Sequence, residues 1–273
     1  YSQRAEKGME ICMKKIIMLL MVCVLILGGC GKKKNTVHSL DDLKNKSIGV
    51  QMKTTGDIYV SDIEGAQIKR FNKGLDAVKA LRKGVVDAVM IDDAPAKVFA
   101  ERFDDVEILS EPYAEEEYGI AVNKDERELL GQIDQALQEL KDDGTLGKIV
   151  KAWLQDGETQ TAYETGKKKS GRKELVMVTN AEFPPYESKL DSGDIVGIDV
   201  DIMKAVCDKL GRRLEITDTA FDSVVANVER KMADVGVAAM TITDERKKSV
   251  DFTEPYMKAV SYTHLTLPTK LEV

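Results

Sequence analysis

The chain has 273 residues, a formal net charge of −7, 43% hydrophobic residues and 32% charged residues. This length and composition predict one or two α/β domains with a charged surface that suits a soluble protein. The mildly acidic balance argues against nucleic acid as a partner.

Residues 1–30 are predicted to be upstream sequence followed by a lipoprotein signal peptide, with Met13 as the better start. Met13-Lys14-Lys15 is positively charged, and Ile16–Leu27 is an apolar run that is short for a membrane span. The run ends at Leu27-Gly28-Gly29-Cys30, which resembles the lipobox of bacterial lipoproteins, where the cysteine is acylated. We therefore expect lipidation of Cys30 and a tether to the outer face of a membrane. An ordinary cleaved signal and an uncleaved anchor are the alternatives.

The cysteines do not predict a disulfide framework. Cys12 and Cys23 precede the cleavage site and Cys30 would be acylated, which leaves Cys207 without an intramolecular partner. Cys207 lies in a helical pattern, where we expect it to be a small core residue.

Residues 39–117 alternate strand and helix patterns, which predicts a parallel sheet covered by helices. Strand Ser47–Gln51 runs into a turn with Thr54 and Thr55, and strand Asp87–Ile91 ends beside Asp93. Ligands of such sheets sit at the carboxyl ends of the strands, so these three side chains are candidate ligand-binding residues. The polar, proline-broken segment at 111–117 predicts a connector.

Residues 118–155 form a third pattern, with a strand at Tyr118–Val122 and two amphipathic helices separated by Gly144. Residues 156–172 lack apolar periodicity and are rich in Thr, Lys and Gly, which predicts a flexible linker.

Residues 173–260 form the second α/β unit. A strand at Leu175–Thr179 is followed by a loop of two prolines and two aromatic residues, and Ile198–Leu210 has a helical pattern. A buried strand at Val235–Ala239 precedes a turn that is expected to open a helix near Thr243. Thr241 and Arg246 offer a hydroxyl and a guanidinium beside this turn, which suits a small carboxylate. A solvated helix face is the alternative.

Together these motifs resemble the polar amino acid–binding proteins of bacterial ABC importers, solute-binding protein family 3. The motifs that carry the resemblance are Val50–Gly56, Asp87–Pro95, Glu117–Val122, Thr179–Glu187, Gly197–Asp201, Thr241–Lys248 and Asp251–Tyr256. The resemblance implies an α/β, two-lobed clamshell of the type II periplasmic-binding-protein kind, in which each lobe is a mostly parallel sheet flanked by helices.

The order of the halves departs from that family. In this chain the unit that resembles the family's second lobe, residues 39–117 (lobe two), comes before the unit that resembles its first lobe, residues 173–260 (lobe one). A circular permutation joined through the linker and a tandem gene with two incomplete copies both explain this order. Residues 261–273 resemble a translated cloning adaptor and are predicted to be foreign; a natural hinge strand is the alternative.

The resemblance also implies roles for single residues. Arg246 pairs with the α-carboxylate of a free amino acid, Thr241 and the turn at Thr55 add donors, and Asp93 accepts from the α-ammonium. Asn180 stands where relatives that prefer cationic ligands often carry Asp, which weakens the case for lysine or arginine. The full expected ligand-binding set is Arg246, Thr241, Ala239, Asn180, Phe183, Tyr186, Phe221, Thr54, Thr55 and Asp93.

The expected function is capture of an amino acid by an extracytoplasmic, monomeric, non-enzymatic protein that delivers it to an ABC permease. No cofactor, metal or nucleic acid is expected. A dehydratase or sensor on the same fold and a non-functional gene fragment are the alternatives.

Overall fold

The computed structural model describes residues 36–109, 111–154, 163–166 and 173–266. The predicted signal peptide with Cys30, most of the predicted linker and residues 267–273 lie outside these ranges. Within the described ranges, no helix combines the length and the hydropathy that crossing a bilayer requires.

Helices and strands alternate through most of the described chain. The α-helices are α1 Thr55–Ser61, α2 Gly74–Arg82, α3 Asp93–Arg102, α4 Arg127–Asp142, α5 Thr145–Leu154, α6 Ile198–Leu210 and α7 Phe221–Glu229. Short 3-10 helices lie at Asp41–Leu43 and Arg246–Lys248. The strands are β1 Ser47–Gln51, β2 Gln67–Phe71, β3 Ala88–Met90, β4 Glu107–Ile108, β5 Pro112–Tyr118, β6 Ala121–Asn123, β7 Glu174–Thr179, β8 Glu182–Phe183, β9 Glu187–Lys189, β10 Ile195–Val196, β11 Arg213–Asp218, β12 Val235–Gly236, β13 Val250–Phe252 and β14 Met257–Thr266.

Lobe two is built on a sheet with the strand order β2-β1-β3-β14-β4, and β5 also pairs with β14. Strand β1 is parallel to β2 and β3, as the alternating pattern predicts. Helix α2 places Val78 and Leu81 in the core at helical spacing, and Phe99 of α3 is buried as well.

Lobe one is built on a second sheet, with the strand order β11-β7-β12-β6-β13. Strand β7 is parallel to β11 and β12, whereas β6 runs antiparallel to β12 and β13. Ile133 and Leu137 of α4 share a buried cluster with Ile202 and Val206 of α6. The two sheets confirm the predicted two-lobed α/β architecture.

Each sheet contains a strand from the other half of the chain. Strand β6 precedes the linker but lies between β12 and β13 of lobe one, and β14 is near the end of the chain but lies between β3 and β4 of lobe two. The two halves are therefore interlocked through backbone hydrogen bonds.

Strands β5 and β14 carry the chain between the lobes and are here called the hinge strands. They pair antiparallel, with Met257 opposite Tyr118 and Val260 opposite Glu115. The segment 111–117, predicted to be a connector, does join the lobes, but Pro112–Glu117 of it is a regular strand because β14 supplies its hydrogen-bond partners.

The structure also differs from two other expectations. Strand β14 extends through Thr266, so part of the segment predicted to be foreign pairs with β3 and β4. The strand predicted over Val235–Ala239 ends at Gly236, and the helix predicted near Thr243 is only the 3-10 turn Arg246–Lys248. Ala239 has a left-handed φ of 44°, which is incompatible with an extended strand.

Helix α6 is the central packing surface of lobe one. It starts after Gly197, whose φ of 145° and contact with the Tyr186 carbonyl leave no room for a Cβ atom. Cys207 of this helix is buried, as predicted. Residues 163–166, part of the predicted linker, lie against α6: the Tyr163 backbone N–H donates to Asp201 at 2.9 Å.

Candidate functional site

A narrow cavity lies between the two lobes, at the carboxyl ends of β1 and β3. Its position agrees with the general placement of ligands in parallel α/β sheets. Lobe two and lobe one both line it, with Gln51, Thr54, Thr55, Gly56, Met90, Ile91 and Asp92 from the former and Phe183, Phe221, Ala238, Ala239, Thr241 and Arg246 from the latter.

Arg246 lies in the cavity and contacts both lobes. Its Nη1 donates to the Thr241 carbonyl at 2.7 Å, and its Nη2 donates to the Lys53 carbonyl at 3.2 Å. The guanidinium carbon lies 5.3 Å from the centre of the Phe221 ring. Burial lowers the pKa of the guanidinium, although nearby carboxylates oppose this shift. An arginine stays protonated in such surroundings, so the cavity has a fixed positive charge.

Thr241 is buried beside Arg246, but its hydroxyl is already engaged. The hydroxyl donates to Oε2 of Glu116 at 2.7 Å. A hydroxyl has one proton, so in this arrangement Thr241 offers only lone pairs to a ligand. This differs from the expectation that the Thr241 side chain donates to a carboxylate.

Thr54 and Thr55 form the lobe-two wall at the start of α1. The Thr54 hydroxyl caps the helix by accepting from the Asp57 backbone N–H at 3.4 Å, and it donates to the Gln51 carbonyl at 2.8 Å. Thr55 follows as the first helical residue and is buried at the cavity.

The acidic residue that lines the cavity is Asp92 and not the predicted Asp93. Asp92 is 8% exposed and accepts a hydrogen bond from the Tyr118 hydroxyl. Asp93 is the first residue of α3, where the helix turns its side chain away to pair with Lys97 at 3.2 Å. The sequence showed two adjacent acids at a helix start and gave no means to decide which one faces the cleft.

Two further predicted residues lie behind the cavity wall. The Asn180 Oδ1 accepts from the Gln51 side chain at 2.9 Å, and its Nδ2 donates to the Thr219 carbonyl at 2.8 Å. Asn180 thus connects the lobes instead of lining the cavity. Tyr186 is 1% exposed and stacks on Phe183 with 6.0 Å between ring centres, so it supports the Phe183 wall from the core.

A buried carboxyl pair holds the backbone at Ala239. Asp199 accepts from the Ala239 backbone N–H at 2.7 Å and from the Tyr256 hydroxyl at 2.8 Å. Burial raises the pKa of Asp199 to about 6. Burial, followed by the charge of Asp199, also raises the pKa of the fully buried Glu187. The strained Ala239 conformation is thus fixed by groups behind the cavity.

Sequence reasoning missed some of the lining. Gln51 ends β1, Met90 ends β3, and both positions follow from the rule that strand ends face the ligand. Asp92 directly precedes the predicted Asp93 in the sequence. Ala238 has only a methyl group and Gly56 has no side chain, so neither position carries a chemical signal in the sequence.

The arrangement can hold a small molecule that carries both charges. A cationic side chain from lobe one and an anionic side chain from lobe two line one cavity, together with apolar Phe183, Phe221 and Met90. Charges of fixed position and opposite sign favour a zwitterion in one orientation.

Residues 175–267 match the family model of bacterial extracellular solute-binding proteins, family 3. The arginine-binding extracellular protein ArtP of Bacillus subtilis is 41% identical over 33% of this chain and 35% of its own length. The ABC transporter arginine-binding protein 1 of Escherichia coli is 36% identical, covering 32% and 36%. The L-cystine-binding protein TcyJ of Escherichia coli is 28% identical, covering 45% and 48%.

These matches confirm the resemblance to the polar amino acid–binding family. The chain spans about a third of the length of the first of these relatives. All three are named as binding proteins, two for arginine and one for cystine, so the relatives differ in the side chain of their ligand.

Proposed function

We propose that this protein binds a free amino acid in the cavity between its lobes and presents it to an ABC transporter permease. The observation that carries the proposal is the presence of half-buried Arg246 from lobe one and buried Asp92 from lobe two in one cavity. These charges complement the α-carboxylate and the α-ammonium that every free amino acid carries.

Arg246 is proposed to bind the α-carboxylate. Two of its N–H groups donate to carbonyls of Thr241 and Lys53, which fixes the plane of the guanidinium and leaves other N–H groups for a ligand. Thr55 and Gly56 lie at the same cavity, where a carboxylate would meet the start of α1.

Asp92 is proposed to accept from the α-ammonium. Its hydrogen bond from Tyr118 orients the carboxylate, and ion pairing of a buried carboxylate with an ammonium restores interactions lost on leaving water. Phe183, Phe221 and Met90 are left to contact the ligand side chain. The binding proteins that this chain resembles support capture instead of catalysis.

Amino acid binding can be measured by titration calorimetry with each standard L-amino acid, on the wild-type chain and on Arg246→Ala. We expect at least one amino acid to bind the wild type, and Arg246→Ala to abolish binding in a folded protein, because the charge-assisted pair is lost. Arg230→Ala is the control, since Arg230 is an exposed residue at the end of α7. An Arg246→Ala variant with wild-type affinity would refute the carboxylate role.

Lipid anchoring at Cys30 is proposed from the sequence alone, on the basis of the apolar run that ends at Leu27-Gly28-Gly29-Cys30. We expect Cys30→Ser to move the protein from the membrane fraction to the extracytoplasmic soluble fraction of cells that process bacterial lipoproteins. Cys23→Ser serves as the control inside the same apolar segment. Retention of Cys30→Ser on membranes would instead indicate an uncleaved helical anchor.

A further inference from the structure

Hinge strand β5 turns two side chains inward beside the cavity. Glu116 and Tyr118 are 4% and 0% exposed, whereas Glu115 and Glu117 between and beside them are exposed. This is the alternation of a strand with one buried face. The inward residues contact cavity residues of different lobes: Glu116 contacts Thr241 of lobe one, and Tyr118 contacts Asp92 of lobe two.

A buried glutamate in a hinge strand is costly unless its charge is used. Glu116 accepts the Thr241 hydroxyl at 2.7 Å through Oε2, while its buried Oε1 has no hydrogen-bond partner among the residues that the structure describes. Glu116 also lies close to Tyr59 of α1 and to Arg246. Burial and then the charge of Glu116 raise the pKa of the Tyr59 hydroxyl, and the same charge opposes the lowering of the Arg246 pKa that burial causes. Its carboxylate therefore interacts with residues of both lobes and with the main cation of the cavity.

The hydrogen bond to Glu116 fixes the orientation of the Thr241 side chain. Because its single hydroxyl proton goes to Glu116, the Thr241 side chain is held in one rotamer with its lone pairs available to the cavity. The Thr241 carbonyl, in turn, accepts from Arg246 at 2.7 Å. Glu116, Thr241 and Arg246 thus form one continuous chain of contacts from the hinge strand to the cation.

We propose that Glu116 is a positioning residue for ligand binding. It holds the Thr241 side chain, and through the Thr241 carbonyl the Arg246 guanidinium, in a fixed position relative to hinge strand β5. This inference rests on the proposed function of the cavity as an amino acid site. Since β5 carries the chain between the lobes, the geometry of the hinge and the geometry of the carboxylate site are set by the same side chain.

The test compares Glu116→Ala with Glu117→Ala, a matched truncation on the same strand whose side chain is exposed and pairs with Lys258 at 3.6 Å. The affinity for the tightest-binding standard L-amino acid is measured by calorimetry. We expect Glu116→Ala to bind about tenfold more weakly, as for the loss of one hydrogen bond to a charged group, and Glu117→Ala to stay within about twofold. Glu116→Gln should recover most of the loss, because its amide oxygen still accepts from Thr241.

A double-mutant cycle with Thr241→Val separates positioning from a general effect on the fold. If Glu116 acts through Thr241, Glu116→Ala causes no further loss of affinity in the Thr241→Val background. Additive losses, or tighter binding by Glu116→Ala through an unopposed Arg246 charge, would overturn the proposal. Should Glu116→Ala not fold, the Glu116→Gln and Thr241→Val cycle decides, with about a threefold loss expected in the wild-type background only.

Urea unfolding of the ligand-free variants provides the second readout. We expect the losses in free energy of unfolding caused by Glu116→Ala and Thr241→Val to be non-additive, whether or not an amino acid binds. If the wild type binds no standard amino acid, the proposed function fails and so does the ligand role of Glu116, while the unfolding cycle still tests the contact itself. If the wild type binds and the affinity cycle is additive, only the role of Glu116 fails.

Discussion

Asp92 and Asp93 are adjacent in sequence and have different surroundings. Asp92 precedes α3 and is buried between Tyr118 and the cavity, whereas Asp93 is part of the helix and pairs with Lys97 at its surface. A rotation of one residue along the chain therefore separates the cavity-lining carboxylate of Asp92 from the exposed Asp93–Lys97 ion pair. Exposed ion pairs of this kind contribute little to stability.

We predict that Asp92→Asn weakens amino acid binding by about a hundredfold, while Asp93→Asn changes it by less than about twofold. The physical reason is that Asp92→Asn removes the charge that is proposed to pair with the α-ammonium in a buried site. Calorimetry on both variants checks the prediction. Equal losses from the two substitutions would show that the ammonium is not held by Asp92 alone.

Glu187 and Asp199 form a buried carboxyl pair whose protonation differs from that of exposed acids. Burial raises the pKa of both, from 3.8 to about 6 for Asp199, so the native state holds protons more tightly than the unfolded chain. Stability from this pair is fully present below the ordinary carboxyl pKa and is lost as the pH rises through the raised values.

We predict that Glu187→Gln gains stability relative to the wild type as the pH is raised from about 4 to above 6, because the amide avoids the cost of ionising the buried pair. Denaturant unfolding of both proteins across this pH range measures the difference in free energy of unfolding. Titrating groups that do not interact with Glu187 cancel in that difference, so the difference reports on the Glu187–Asp199 pair. A difference that is constant with pH would mean that Glu187 does not titrate in this window.

Hinge strand β14 shows how an element is decided by its partners. Its sequence, from Met257 to Thr266, contains polar and small residues without a clear apolar alternation, and the end of it resembles a cloning adaptor. Strands β3, β4 and β5 nevertheless give it hydrogen-bonding partners along its length. The foreign origin of residues 261–273 stays a prediction, whereas β14 itself lies between β3 and β4 within the sheet.

We predict that truncation after Lys258 unfolds lobe two or greatly lowers its stability, because β3 and β4 lose the strand between them. Truncation after Thr266 is the control, since it removes only residues beyond β14. Thermal unfolding followed by circular dichroism distinguishes the two. A Lys258 truncation with the melting temperature of the control would show that residues 259–266 are dispensable.

The whole molecule is interlocked by the exchange of strands β6 and β14 between its halves. Contacts across the cleft add to this connection: Gln51 donates to Asn180 at 2.9 Å, and Lys73 pairs with Glu182 at 2.5 Å. The exposed Lys73–Glu182 pair contributes little, so the strands provide most of the coupling.

We predict that residues 36–154 and 173–266, produced as separate chains, do not fold cooperatively alone but recover structure and amino acid binding when mixed. Each piece lacks one strand of the sheet that the other piece supplies. Circular dichroism melting and calorimetry on the separate and mixed pieces provide the measurement. Cooperative melting of either piece alone at the temperature of the intact chain would contradict the interlocked architecture.

The sequence by itself determined the elements whose signals are local. The strand at Ser47–Gln51, helix α6 and the buried position of Cys207 follow from apolar period, capping residues and glycine placement. The candidate cation Arg246 also followed, because a guanidinium beside a hydroxyl at a strand end has a recognisable chemistry.

Only the tertiary structure decided which side chains meet. The sequence could not show that β6 enters the sheet of lobe one or that polar β5 and β14 pair as hinge strands, because strand pairing depends on partners distant along the chain. It also could not place Asp92 in the cavity, turn Asn180 towards Gln51 or direct the Thr241 proton to Glu116. These outcomes depend on side-chain direction and on competing hydrogen-bond partners, which exist only once the lobes are assembled.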